Sequence, residues 1–574
     1  MLLGGAASII AACGGGSDGP STPSSGYYFS CALRGQVALV GLEADRAVLL
    51  TPRGGQVMDR STVPVGKGAI IAKSSEDGRR LFVVSRGEEG VEAPSLTVVD
   101  VTIAQAISSR RYELPALHSG MVIDPEGRWV ALHTVLTVDY TGINVETETA
   151  PVVTGVEGEA RNEILVVDVD APPSQAVTSH VIASPEVVPK RISFSPTLHL
   201  PGAAGRLLTV ETEHDVSILD LAHVTASAPI VVATLDGEMP ETATTGGRSA
   251  PPRAPVDLLY DDGDPTRDDD ARLVVRLAGS SKVDVLTFAP PSPSSSEATG
   301  MRGFDIVREE VVAGGIVELV ELVGTADGPR LALLVPSASA IELVDLNARS
   351  ETSRVSLPHP YQSWAKLRRE GMSDTLVLTN AVWTVADNSA AGIWSPNPTQ
   401  DAPYGHVETV QSLKEVGFVL HVPSPHDDLV LFRAGFYEGD PAFFVYDLRT
   451  GAVTRVEAVS PVDPMVSGDG RHLWFFATSY KPDWTFRWVV ETVNLEGLGA
   501  SAEPAVLEIE GNGPGALFDV ERSGGGRVML AVAGGTGLHW GERIHSGDGV
   551  VTVFDGDTPD TSLPITYRDL LLGP

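Results

Sequence analysis

Two cysteines in 574 residues leave no room for a disulfide framework, so whatever fold forms is held by packing alone. Basic residues are also scarce: 41 Lys and Arg stand against 75 Asp and Glu, a formal net charge of -34. Such a surface repels phosphate backbones, whose binding relies on basic patches that release counterions, and this excludes nucleic acid as an expected partner. Neither a Gly-x-Ser-x-Gly elbow nor a Gly-x-x-x-x-Gly-Lys-Ser/Thr loop occurs, so two local signatures of hydrolases and nucleotide-binding proteins are missing. The apolar stretch at the N-terminus, Leu2 to Ala12, is eleven residues long where a membrane-spanning helix needs about twenty.

What is present is a globular composition. Hydrophobic residues make up 43% of the chain and charged residues only 20%, enough apolar surface for a large core and too little charge for global disorder. With 59 glycines and 41 prolines as punctuation, many short strands are expected in place of long helices. The acidic excess serves solubility in the simplest reading; the sharper one is attraction of divalent cations or a cationic partner.

Residues Ala69 to Val101 carry the unit that organises the rest. An apolar lead-in (Ala69-Ile70-Ile71) is followed by a turn at Glu76-Asp77-Gly78, an apolar run (Leu81 to Val84) and a second run closing on aspartate (Leu96-Thr97-Val98-Val99-Asp100). Asp-Gly between β-rich runs predicts a hairpin with a primed turn. The closing run recurs at Ile164–Asp168, Val216–Asp220, Ile341–Asp345, Phe443–Asp447 and Val551–Asp555, with less regular copies around Val48, Val285, Ile393 and Val493. The ten run centres lie 48 to 68 residues apart. Uneven recurrence near the length of a blade predicts an all-β β-propeller. Continuously apolar runs such as Leu473 to Phe476 support it, because strands covered on both faces need not alternate. Ten runs exceed the usual count of blades, and one ring of seven or eight four-stranded blades is expected, with two smaller propellers as the alternative. Thr137 to Asn162, Asp236 to Pro255 and Pro290 to Gly300 read as irregular loop insertions.

The turns ahead of partner strands recur too, at Asp124-Pro125-Glu126-Gly127, Ser467-Gly468-Asp469-Gly470 and Ser523-Gly524-Gly525-Gly526. Together with Asp447-Leu448-Arg449-Thr450-Gly451 they resemble the YVTN type of β-propeller repeat. Some relatives of that type hydrolyse sugar lactones at the central channel, so the resemblance implies a lactonase-like hydrolase as the alternative to a binding protein.

The N-terminal run ends at Ile10-Ala11-Ala12-Cys13, which resembles the lipobox of bacterial lipoproteins. It implies a signal peptide over residues 1–12, lipid attachment at Cys13 and a tether through residue 26 (Gly14 to Ser25 is GGGSDGPSTPSS), with the propeller over residues 27–574. Gly14 after the cysteine implies sorting to the outer membrane of a bacterial cell envelope. No lysine or arginine precedes the run, a departure from the family pattern that fits a start codon lying inside the true signal peptide. Cys31 is expected to be buried and inert.

Candidate chemistry is sparse. Tyr260 to Asp270 puts six aspartates in one loop, and Asp262, Asp264 and Asp268 are the ligands a Ca²⁺ ion would take there, although no EF-hand frame exists and a solvated acidic loop is the plainer reading. His539, Glu542 and His545 supply zinc-type ligands, but the spacing differs from His-Glu-x-x-His and the glycines around them suggest a loop. His133 is expected at a strand end or a pocket wall. No catalytic residue and no cofactor follow from these patterns. The expectation is a lipid-anchored propeller, more binding protein than enzyme, presenting its loops to a protein, peptide or glycan at the envelope, with the membrane met only through the lipid.

Overall fold

The computed structural model describes residues 27–52, 58–101, 107–135, 137–139, 152–154, 162–182, 188–212, 214–225, 229–234, 255–264, 266–291, 303–325, 328–347, 352–367, 374–379, 391–396, 405–410, 416–422, 428–434, 442–459, 461–480, 486–499, 501–508, 514–521, 527–539 and 542–554. Regular structure among them is β apart from two 3-10 turns, Leu221–His223 and Pro336–Ala338. Nine sheets of four or more strands follow one another as the blades of a β-propeller. Blades 2 to 9 occupy residues 69–113, 120–181, 191–234, 255–312, 319–356, 363–410, 416–456 and 462–508, each an antiparallel run of strands that we letter a to d, and Ser501–Ala502 adds a parallel fifth strand to blade 8. Blade 1 is seven-stranded and joins the chain's first four strands (27–64) to its last three (514–554).

The organising unit is blade 2. Ala69–Ser74, Arg80–Ser85, Ser95–Val101 and Ile107–Glu113 are its strands a to d. Strand b is buried along nearly its whole length because neighbouring blades cover both faces, while strand d, at the outer edge, exposes most of its side chains. The expected primed turn is corrected. Of Asp77 and Gly78 only the glycine has positive φ (67°), whereas a type I′ turn needs both central residues there. The loop is longer: Ser75 N–H donates to the Arg80 carbonyl at 2.9 Å and Gly78 N–H to the Ser75 carbonyl at 3.0 Å.

The recurring terminal aspartate has a local cause. Asp168, Asp345 and Asp447 each accept the backbone N–H two residues on, at 3.1, 2.8 and 2.8 Å, turning the chain out of strand c. Three of the terminal aspartates meet an arginine from strand b or the turn beside it: Arg80 to Asp100 at 2.9 Å, Arg128 to Asp168 at 2.9 Å, Arg330 to Asp345 at 3.8 Å. The a–b turns repeat a second device, in which the Ser75 hydroxyl accepts from Arg80 N–H at 3.0 Å and the Ser467 hydroxyl from His472 N–H at 2.9 Å.

Every one of the ten runs found in the sequence is a third strand. Val48 lies in Arg46–Pro52, Val285 in Lys282–Ala289, Ile393 in Ala391–Trp394, Val493 in Phe486–Asn494 and Val553 in Glu542–Phe554. The expectation of seven or eight blades is therefore corrected to nine, because every copy belongs to a blade and the two end units share one sheet. That sharing is slight: Tyr27 pairs with Ser546 and Tyr28 with His545. The halves otherwise pack face to face, Tyr28, Leu39 and Leu50 against Phe518, Leu530 and Val532. Ten apolar clusters thus run from unit to unit around the ring and close it, which also corrects the alternative of two smaller propellers. Each large side chain buried this way contributes about 1.5–3 kcal/mol.

Two insertions also differ from the sequence reading. Within the first, Thr137–Asp139 pairs with Val152–Thr154 as a two-stranded sheet. Strands Leu198–Leu200 and Ala203–Gly205 form an unforeseen hairpin between strands a and b of blade 4. Residues 236–254 and 292–300 lie outside the described residues, as do Ser523 to Gly526.

Candidate functional site

The antiparallel order gives the ring two rims. One collects the a–b turns and the ends of the c strands, with their Asp-Gly turns and Arg–Asp pairs. The other collects the b–c loops and the d–a connections. On this second rim, between blades 2 and 3, the loop at residues 86–94 and the connection Pro115-Ala116-Leu117 enclose a groove of about 660 Å³.

Hydrogen bonds pin the loop. Arg86 N–H donates to the Gly68 carbonyl and Gly87 N–H to the Lys67 carbonyl, both at 2.9 Å, while Glu88 and Glu92 exchange backbone bonds at 2.9 and 2.8 Å. Gly87 sits at φ 81°, and a Cβ there would lie 2.2 Å from the Glu92 carbonyl oxygen, so only glycine closes the loop. At the tip Val91 is 74% exposed, more than any other large apolar side chain among the described residues. The loop's cations are already engaged: Lys67 with Glu88, Arg111 with Glu92, and Arg86 with Glu43 at 3.2 Å.

Beside the groove, at the start of blade 3, His118 is fully buried and neither ring nitrogen has a hydrogen-bond partner. His133, at the end of strand b as expected, is 9% exposed, and its Nδ1 lies 3.1 Å from the Thr134 carbonyl. Burial pulls both imidazoles down to about 4, so both are neutral at pH 7. The His133 ring occupies the space a side chain at Gly120 would need: a Cβ there would lie 2.6 Å from it.

Buried polar contacts tie the inner strands. Lys73 donates to the Met121 carbonyl at 2.6 Å. Arg276, 2% exposed, pairs with Asp257 at 2.5 Å and donates to the Val317 carbonyl at 3.0 Å, and Lys366 pairs with Asp374 at 3.1 Å. The Lys73 and Val317 contacts leave their own blade, whereas the Arg276–Asp257 and Lys366–Asp374 pairs tie the first two strands of blades 5 and 7 to each other.

The acidic loop does not assemble the expected ligands. Asp262 accepts from His199, the backbone N–H at 2.5 Å and Nδ1 at 2.7 Å. Asp264 accepts the N–H and hydroxyl of Thr266 at 2.9 and 2.7 Å, contacts that hold its carboxyl below the usual range. Asp268 is exposed, and Asp270 accepts from Asp264 N–H at 3.0 Å. No group of three or more His, Cys, Asp or Glu side chains placed to hold a metal occurs among the described residues. Residues 527–539 and 542–554 are strands, so the loop expected around His539 is corrected: His539 pairs in register with Glu542 and Thr536 with His545, while their side chains lie outside the description. Cys31 is buried in Tyr27–Leu33. Cys13 and its tether fall outside the described residues. No helix among the described residues is long and apolar enough to cross a membrane.

Sequence reasoning missed the groove, His118 and two Asp-oriented imidazoles, His199 on Asp262 and His223 on Asp220 at 2.7 Å. The faint signal for the groove was the pair of prolines, Pro94 and Pro115, bracketing blade 2's outer strands.

No family model matches the chain, and no curated protein matches it either. Among solved structures it is similar, at 12% identity and a TM-score of 0.43, to one described as the eukaryotic initiation factor, over 84% of this chain and 97% of that one. The dihydro-heme d1 dehydrogenase NirN in complex with DHE shares 12% identity over 72% of this chain and 71% of its own, at a TM-score of 0.37. Sqt1 from Chaetomium thermophilum shares 12% over 71% and 93%, at 0.34. Likeness at that level says nothing about ligand or activity.

Proposed function

We propose that this chain is a lipid-anchored propeller of the bacterial cell envelope that acts as a binding or scaffold protein, held at the outer membrane through Cys13. The observation that carries the binding role is the pinned 86–94 loop, which spends glycine geometry and a set of backbone hydrogen bonds on holding Val91 in solvent over a groove. A rigid apolar side chain set beside a groove is a ready anchor for a partner. The lipobox-like Ile10-Ala11-Ala12-Cys13 supports the anchor, since stable attachment takes two acyl chains where one is marginal.

A lactonase-like hydrolase is the second reading, and the Asp-oriented imidazoles of His199 and His223 favour it. Oriented by a carboxylate at Nδ1, an imidazole leaves Nε2 to accept a proton from water. Both histidines sit at loops on the turn-bearing rim, away from the groove.

Fractionation tests the anchor. Cys13→Ser is expected to leave the membrane fraction, and a variant still membrane-bound after a high-salt wash would refute lipidation. The released chain then goes through metal analysis and a lactone and ester turnover screen with and without chelator. Chelator-sensitive turnover with stoichiometric metal would replace the binding reading with the hydrolase.

A further inference from the structure

We propose that the groove between blades 2 and 3 takes an extended, cationic segment of another protein, one with apolar side chains set between its lysines or arginines. The inference rests on the binding role above and adds its surface and its partner chemistry.

The apolar side chains of Val91, Pro94, Pro115 and Leu117 line the groove beside the charged Arg86, Glu89 and Glu92. Prolines at two of these positions remove backbone donors and present apolar rings to a passing chain. The charges around it are not balanced. Lys67, Arg86 and Arg111 are each paired with a glutamate already. Glu89 on the groove wall and Glu113, next to Leu114, whose N–H donates to the Pro94 carbonyl at 2.9 Å, are both exposed, and neither has a basic partner among the described residues. What remains for an incoming ligand is therefore negative potential flanking an apolar strip. A formal charge of -34 on the whole chain adds long-range attraction for a cation and repels a second copy of this chain.

The loop is also preorganised. Its backbone bonds and the Gly87 constraint exist without any partner, so little ordering of the receptor is needed when a ligand arrives. A rigid valine at the tip then acts as an anchor for an apolar side chain of the ligand, and the two glutamates set its charge.

The test uses the Cys13→Ser full-length chain and three short labelled peptides followed by fluorescence anisotropy: repeats of Lys-Pro-Leu-Lys, of Glu-Pro-Leu-Glu and of Lys-Gly-Ser-Lys. The first is expected to bind, with an affinity that falls as salt rises; the second is expected not to bind, and the third to bind about tenfold more weakly, for want of apolar contact. Glu89→Lys with Glu113→Lys is expected to weaken the first peptide about tenfold or more, and Val91→Ser alone several-fold. Both substitutions sit on exposed side chains, and matching thermal midpoints confirm that folding is untouched. Equal affinity in wild type and the double lysine variant overturns the proposal, as does tight binding of the glutamate peptide or no binding of any probe. In each of those cases the broader binding role still stands or falls on the turnover screen, which does not involve this groove.

Discussion

The two rims of the propeller obey different rules. On the rim of the a–b turns, one solution is repeated: a left-handed glycine, a serine hydroxyl or aspartate capping the turn, and an aspartate that ends strand c and meets an arginine. On the rim of the b–c loops, the loop at 86–94 is held rigid to expose an apolar side chain. Repetition marks what every blade needs in order to fold. Singular features mark what one blade adds. The periodic motifs that made this chain readable are therefore the wrong place to look for its ligand.

The largest expected effect breaks the repeating rim. Gly78→Val places a β-branched residue at φ 67° and puts its Cβ 2.9 Å from Arg34 N, whose hydrogen bond to the Gly78 carbonyl joins blades 1 and 2. Strain and overpacking together cost roughly 2–5 kcal/mol. Gly470→Val meets the same backbone strain at φ 70° and is expected to cost about 1–3 kcal/mol. Thermal melts of both variants decide it. Equal midpoints for wild type and Gly470→Val would show that this rim is not built on left-handed glycines.

How much of this was legible follows from the same contrast. All ten c strands left a trace in the sequence, six as an apolar run closing on Asp and four as less regular copies without it, around Val48, Val285, Ile393 and Val493. The blade count could not be read, since nothing local says that Tyr27 and Tyr28 pair with Ser546 and His545 across the whole chain. Nor could the groove, because its walls come from a loop and a connection on opposite sides of strands c and d. The turn type was misread for a simpler reason: Asp-Gly fits both a primed turn and a longer loop with one left-handed residue, and φ at Asp77 separates them.

A smaller effect contrasts two buried titratable groups. Histidine 118 has its folded pKa depressed to about 4 against an ordinary value near 6.5, so the stability tied to its neutral form is complete above pH 6.5 and is lost as pH falls toward 4. Glu491, 7% exposed in strand c of blade 9, is pushed by burial up to about 7 from an ordinary value near 4.5. Its folded state holds the proton longer than the unfolded chain, so it removes stability as pH rises from 4.5 to 7. Opposite slopes follow. His118→Gln is expected to flatten the rise of midpoint with pH between 4 and 6.5, and Glu491→Gln to steepen it, with effects on the order of 1–3 kcal/mol across the window. Parallel curves for wild type and His118→Gln would mean that this imidazole titrates in solvent and is not sealed under the second rim.

The smallest expected effect is the one that defines the second rim. Val91 is 74% exposed, so its truncation removes almost no buried area, and Val91→Ser should leave stability within about 0.5 kcal/mol of wild type. Glycine at 87 is different: Gly87→Ala drives a Cβ into the Glu92 carbonyl and should lower the midpoint while leaving Val91 itself unchanged. The pair separates the scaffold of the loop from what the loop displays. If Val91→Ser lowered the midpoint as far as Gly87→Ala, the valine would be packing against its own fold, and the distinction between a folding rim and a displaying rim would fail at the residue on which it depends most.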